Sequence, residues 1–250
     1  MDVGDPPAFQ VVRPLATSAF VITCDHASRR LPGRLGTLGL SEDELARHIA
    51  WDIGAAATAG FLADELDAFL ILQGYSRLAI DANRPPLAPD SIVSISDGTS
   101  IPGNQGLADG EAERRALQIF HPYHDRITAE LDARAGRPTA LVSLHSFTPS
   151  MGGRARPWHA GVLHLRDSRL AHRMLELLRR DPALVVGDNQ PYAASDQTDY
   201  TIVTHAERRG LPYVELEIRQ DLIADEDGQR HWARRLAALL LEAQAAVFPR

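Results

Sequence analysis

Two histidines stand where short apolar runs end. Ala19-Phe20-Val21-Ile22-Thr23-Cys24 leads into Asp25-His26, and Thr139–Leu144 leads into His145-Ser146. Continuous apolar runs of this length read as strands buried on both faces. In open α/β sheets, ligands bind in the crevice beyond the carboxyl ends of such strands. Two imidazoles there, with a carboxylate and an open position, make the usual shell of a zinc hydrolase. An ion so held polarises a carbonyl and lowers the pKa of water. Either histidine alone reads equally well as a structural residue satisfying a turn. The pair, at two separate strand ends, favours the metal.

A carboxylate to work beside that ion is offered by Tyr213-Val214-Glu215-Leu216-Glu217-Ile218-Arg219. Alternation puts Tyr213, Glu215, Glu217 and Arg219 on one face of a strand. That face is either solvated or the lining of a cleft, and the alternation fits both. In a cleft, Glu217 is placed to act as general base and then to pass the proton to a leaving amine. Arg219 shares the face and is placed to pair with Glu217 or to hold an anionic group. A third constellation is Asp81-Ala82-Asn83-Arg84. Arginine presents a rigid fork suited to a carboxylate, asparagine adds a donor, and Asp81 can orient the fork. A polar turn forced by Pro85-Pro86 explains the same four residues.

The elements that must position these groups follow from the patterning. Residues 1–17 read as a loose lead-in with Pro6-Pro7 and Pro14. Ser41 with Glu44 resembles a capping box, opening a helical pattern that continues, with a break, through Asp52 to Leu66. Phe69–Leu72 and Leu78–Ile80 read as strand pieces, and residues 85–107 as a long loop of the kind that is usually functional or mobile. Residues 108–135 read as an amphipathic helix kinked at Pro122. Further strands are expected at 159–165, 184–186 and 211–219, and helices at 168–180, 198–209 and 229–247. Strands alternating with helices predict one domain over residues 1–250, a doubly wound, mostly parallel or mixed sheet with helices on both faces, α/β/α in three layers.

The 250 residues carry 26 basic and 33 acidic side chains, a formal charge of −7, with no basic block. Nucleic acid is therefore an unexpected partner. The single cysteine, Cys24, excludes an intrachain disulfide. No basic-then-apolar leader and no run of about 18 apolar residues is seen. A cytoplasmic protein without a membrane association is expected.

These pieces together resemble the N-formylglutamate amidohydrolases, a bacterial family linked to histidine breakdown and related amide hydrolysis. The resemblance runs through Cys24-Asp25-His26-Ala27-Ser28, Trp51-Asp52-Ile53-Gly54, Ser76-Arg77, Asp81-Ala82-Asn83-Arg84, His121-Pro122-Tyr123-His124, Leu144-His145-Ser146-Phe147, Gly187-Asp188-Asn189 and Glu217-Ile218-Arg219. It implies kinship with the wider zinc carboxypeptidase and aspartoacylase group and a phosphorylase/hydrolase-like fold. In that group the metal takes a His, a Glu three positions later and a distant His. His26 and His145 match the two histidines, Asp81-Asn83-Arg84 looks like the clamp for a substrate carboxylate, and Glu217 looks like the catalytic acid. One departure matters: three positions after His26 stands Arg29, whose guanidinium cannot ligate a cation. Asp52 is the candidate replacement, with helix capping as its alternative, and Asp25 is a weaker one or an outer partner of a histidine.

The expected activity is hydrolysis of a small N-acyl amino acid such as N-formylglutamate. One zinc ion would sit on His26, Asp52 and His145, and Glu217 would shuttle the proton. Arg84, with Asn83 and Arg77, would bind the substrate carboxylate. A deacylase or peptidase of another small acyl amino acid is the nearest rival, and a non-catalytic binder of anionic metabolites the more distant one. His121 and His124 share a helix face and read as packing residues. His159 and His205 are candidates for substrate contact, and residues 188–205 for a lid.

Overall fold

The computed structural model describes residues 4–248. In chain order its elements are β1 (Phe9–Val12), β2 (Phe20–Cys24), α1 (Glu42–Leu45), α2 (Ala55–Leu66), β3 (Phe69–Gln73), β4 (Ile95–Ser96), β5 (Thr99–Ser100), α3 (Glu111–Arg115) and α4 (His121–Ala133). There follow β6 (Ala140–Phe147), β7 (Ser150–Met151), β8 (Arg154–Ala155), β9 (Ala160–Leu163), α5 (Arg169–Leu178), β10 (Val186–Asp188), α6 (Tyr200–His205), β11 (Tyr213–Arg219) and α7 (Glu226–Val247). Seven strands form the main sheet in the order β1-β3-β2-β6-β11-β9-β10. β3, β2, β6 and β11 run parallel. β1 is antiparallel to β3, β9 is antiparallel to β11, and β10 runs parallel to β9. The sheet is thus mixed, with a parallel centre.

Strand alternation sorts the core into two layers. Ile22, Val142, Leu144, Val214 and Leu216 face α2, α5 and α7. Val21, Leu141 and Tyr213 face α4 and α6. This parity fixes the site, because Ser143 and His145 follow Leu141, and Glu215 and Glu217 follow Tyr213. The four polar side chains therefore emerge on the α4/α6 face. Cys24 faces the other layer, fully buried, where burial holds its thiol protonated.

Two expectations about the elements are corrected and the others are refined. The lead-in is not all loose: β1 lies within it and pairs with β3, burying parts of Phe9 and Val11. Leu78–Ile80 is no strand. Its three side chains are buried beneath the following loop in two satellite clusters, so the apolar run reports burial rather than pairing. The long loop holds the β4–β5 hairpin and a 3-10 turn at Pro102–Asn104. Arg115 ties that turn down, donating to Asn104 Oδ1 at 2.7 Å and to the Ala79 carbonyl at 3.0 Å. The helix through Pro122 is α3, a π-helical turn at Ala116–Phe120, and α4. Proline has no amide to bond back along the helix, and the turn before it widens. The capping box at Ser41 is present, but the helix it opens stops at Leu45. Among the described residues, no helix is long and apolar enough to cross a membrane.

Candidate metal centre and cleft

A cavity of about 400 Å³ opens at the carboxyl ends of the parallel strands. Its wall includes His26, Asp52, His145, Glu215 and Glu217. His26 stands just beyond β2 and His145 within β6. Asp52 lies in the turn before α2, and that turn is held from both sides. The Asp52 amide donates to the His26 carbonyl at 2.9 Å, and Ser146 Oγ donates to the Ile53 carbonyl at 2.9 Å. Gly54, with φ 80°, completes the turn, and a Cβ there would meet the Ile223 carbonyl at 2.2 Å. Gly54, not Asp52, is the N-cap of α2. Capping therefore does not account for Asp52.

The two imidazoles converge on one carboxylate oxygen. His26 Nδ1 lies 3.4 Å and His145 Nδ1 3.0 Å from Asp52 Oδ2. A tetrahedral ion with bonds of about 2.0–2.1 Å sets its donors about 3.4 Å apart. One ligand atom from each of His26, Asp52 and His145 lies within 4.8 Å of the other two. The opposite ring nitrogens are bound by acids. His26 Nε2 meets Asp81 Oδ1 at 2.8 Å, and His145 Nε2 meets Asp25 Oδ2 at 3.3 Å and Ser143 Oγ at 3.1 Å. Arg77 Nη1 stands 3.3 Å from His26 Nδ1. The 2.8 Å contact directs an Nε2 hydrogen to Asp81, and in the neutral ring that hydrogen leaves the lone pair on Nδ1, the form that arginine, which only donates, can meet. Carboxylates behind the histidines, with Nδ1 turned inward, are the usual outer support of a metal site. The residues fit a divalent ion of the zinc class.

The electrostatics agree. Burial opposes charge on Asp52, but the two histidines outweigh it and hold its carboxyl well below the ordinary range. Burial likewise opposes charge on Asp25, yet His145 and the Tyr123 hydroxyl, at 2.7 Å, bring it down to about 2. Burial would make His145 neutral, but Asp25 and Asp52 raise it well above the ordinary histidine value. Three carboxylates thus make a centre that favours positive charge.

Glu217 is different. It sits opposite His145 in the β6–β11 register and opposite Gly161 in the β9–β11 register. It is buried, and its Oε2 has no hydrogen-bond partner. Burial pushes its carboxyl up to about 7, against the pull of His145. Glu215 is also raised well above the ordinary carboxylate range, by burial and by Asp199. Gly161 leaves the opening beside Glu217. A Cβ there would lie 2.1 Å from the Gln190 carbonyl and 3.3 Å from the Glu217 Cβ. Gly161→Ala is therefore expected to displace residues 189–192 from the cleft, lowering kcat/KM by about tenfold or more and stability by about 1–3 kcal/mol. Steady-state kinetics and urea titration check both effects.

The remaining sequence candidates divide. Asp81 serves His26, Arg77 (2.6 Å) and the Asn83 amide (2.9 Å). Asn83 spends its side-chain oxygen on the Thr201 amide at the start of α6. Arg84 lines the cavity, paired with Asp90 at 2.9 Å and with the Thr198 carbonyl. Arg77 also lines it. Arg219 does not: the strand ends there, and its guanidinium turns out to Asp221 at 2.7 Å. A place for it beside Glu217 is not what the structure has. Arg29 is exposed and lies away from the centre. Tyr192 and Asp199, which sequence reasoning did not single out, line the cavity. Both fall within residues 188–205, the candidate lid, but residue type alone does not mark them individually.

Of the other histidine candidates, His121, His124, His159 and His205 do not line the cavity. His159 Nδ1 accepts from the Val185 amide at 2.9 Å. His124 Nε2 donates to the Ala82 carbonyl, so its Nδ1 accepts from His205 Nε2, also at 2.9 Å. Both rings are neutral. Burial pushes His124 down to about 4, and burial with His124 pushes His205 down to about 3. Depressed histidines leave the folded state binding fewer protons than the unfolded one below pH 6.5. Their contribution is full above that pH and is lost as pH falls towards 4, about 3 kcal/mol for His124 alone. Urea midpoints from pH 7 to pH 4 should fall steeply in the parent chain and less steeply in His205→Gln.

The model of the N-formylglutamate amidohydrolase family matches residues 18–224. No curated protein matches the chain. Among solved structures, a gene product from Agrobacterium tumefaciens superposes with a TM-score of 0.93 at 40% identity, covering 97% of this chain and 96% of that one. An N-formylglutamate amidohydrolase from Ralstonia eutropha superposes with a TM-score of 0.69 at 18% identity, covering 97% and 98%. The second likeness speaks to the fold.

Proposed function

The chain belongs to the N-formylglutamate amidohydrolase family, and from that premise we propose that it hydrolyses a small anionic N-acyl amino acid of the N-formylglutamate kind, using one zinc ion held by His26, Asp52 and His145. The observation that carries the reading is the convergence of two acid-backed Nδ1 atoms on Asp52 Oδ2, in a cavity that also holds the unpartnered Glu217 carboxyl. When bound, the ion supplies polarisation of the acyl carbonyl and a lowered pKa for water.

The chain's own groups do the rest. Glu217 takes the proton of the attacking water at Oε2 and returns it to the leaving nitrogen. A carboxyl raised towards neutrality suits both halves of that task. Asp81 and Asp25 hold the two imidazoles in position. Arg84 and Arg77 are the cations in the wall for the substrate carboxylate. Asp90, the present partner of Arg84, has its side chain half exposed, so a carboxylate entering the cavity competes for that guanidinium. Tyr192, Ala193, Thr198 and Asp199 complete the wall.

A panel of formyl, acetyl and succinyl derivatives of glutamate, glutamine and lysine tests the proposal on the zinc-loaded protein. Formylglutamate is expected to give the highest kcat/KM, and Arg84→Ala to raise KM for it. Preference for an uncharged or cationic substrate overturns the anionic assignment. Absence of hydrolysis across the panel overturns the reading.

A further inference from the structure

A second group of metal-ligating side chains lies on the opposite face of the sheet from the cleft. His164 follows β9, His172 is on α5, and Asp188 ends β10. Alternation carries His164 and Asp188 to the α5 side, since Val162 and Val186 pack in that layer. One ligand atom from each of the three lies within 4.8 Å of the other two. His164 Nε2 meets Asp188 Oδ1 at 3.0 Å, and the rings of His164 and His172 stand edge to face at 4.8 Å. His164 Nδ1 is buried with no hydrogen-bond partner.

The backbone beneath the group is fixed. Asn189, in the left-handed region at φ 48°, donates its amide to the Val162 carbonyl at 3.0 Å, and its Oδ1 accepts from the His164 amide at 3.1 Å. Two of the three side chains therefore leave a locked junction between β9 and β10. The third, on an exposed helical position, has rotamer freedom to close the remaining distance to about 3.4 Å.

We propose that His164, His172 and Asp188 form a second site for a divalent transition ion of the zinc class. Two imidazoles and one carboxylate suit such an ion, while a calcium or magnesium site would need more oxygens. Being open to solvent, the site completes its shell with water. It clamps α5 to the end of β10, from which the chain runs over Gly161 to deliver Tyr192, Ala193, Thr198 and Asp199 to the cavity. The ion's role here is structural: it holds the root of the segment that lines the cleft. The proposal does not depend on the catalytic reading of the other site.

The test is calorimetric titration of the chelator-stripped, full-length protein with Zn²⁺, repeated with Co²⁺ followed by visible absorption. The parent is expected to bind two equivalents, and His172→Ala and Asp188→Asn one each. Asp52→Asn is expected to keep one equivalent, which the double variant Asp52→Asn/His172→Ala loses. Zn²⁺ should slow amide exchange in residues 189–199 of Asp52→Asn and leave the double variant unchanged. Melting curves of the stripped variants show that each remains folded. Equal stoichiometry in Asp52→Asn and the double variant overturns the site. A single equivalent that His172→Ala abolishes and Asp52→Asn leaves intact overturns the catalytic metal reading instead.

Discussion

Glu217→Gln lowers kcat by two to four orders of magnitude, the usual worth of a positioned general base, and leaves fold and metal content intact. The amide keeps the shape of the side chain. No hydrogen bond of Oε2 is lost, because it makes none. What disappears is the ability to take a proton from water and return it to nitrogen. Stability moves the other way. Burial raises the Glu217 carboxyl to about 7, so folding disfavours its charged form. Its contribution is most favourable below the ordinary carboxylate range and is lost as pH rises through 7. In metal-stripped protein at pH 8 the glutamine variant is therefore more stable than the parent, by up to about 3 kcal/mol. Kinetics, zinc content and urea midpoints measured on one preparation separate the effects. A variant within tenfold of the parent's kcat removes Glu217 from proton transfer.

How much of this was legible in the sequence depended on whether a residue's role is set by its own strand or by a distant one. His26 and His145 were legible because an apolar run names its strand and the strand end names its position. The alternation of β11 placed Glu217 on the correct face, but a solvated face has the same pattern. Only the layer of helices on that side makes it a cleft. Asp25 was assigned to the neighbourhood of His26, yet it serves His145. Both residues sit in the turn just past β2, where strand alternation no longer fixes direction, and Asp25 reaches across to β6 while His26 reaches Asp52 and Asp81. Asp81 read as an orienter of an arginine for the substrate. It does orient Arg77, four residues back, but its other oxygen holds an imidazole from 55 residues away. Arg219 was misplaced for a local reason: a strand's last side chain is free of the pleat, and Asp221 two residues on captures it. Leu78–Ile80 failed because three buried apolar residues carry no sign of whether a neighbouring strand or a loop covers them.

Asp81 gives the sharpest separation between a residue that handles substrate and one that handles the ion. Chelation is expected to abolish turnover, and stoichiometric Zn²⁺ to restore it. Against that background Asp81→Asn should weaken zinc at the catalytic centre by 10–100-fold, the typical cost of an outer carboxylate. The cause is specific. The His26 Nε2 hydrogen now bonds to a carboxylate at 2.8 Å, and that charge makes Nδ1 a better donor to a cation. An amide oxygen accepts the same hydrogen but adds no charge. The amide nitrogen also faces Arg77, which loses its 2.6 Å partner. With zinc held far above its dissociation constant, the variant should recover most of its kcat with little change in KM. A competition assay against a metal-binding dye, followed by kinetics at two zinc concentrations, reads both quantities. An unchanged zinc affinity with a KM raised at saturating metal would return Asp81 to the substrate clamp, and the support of His26 would have to come from elsewhere in the cleft.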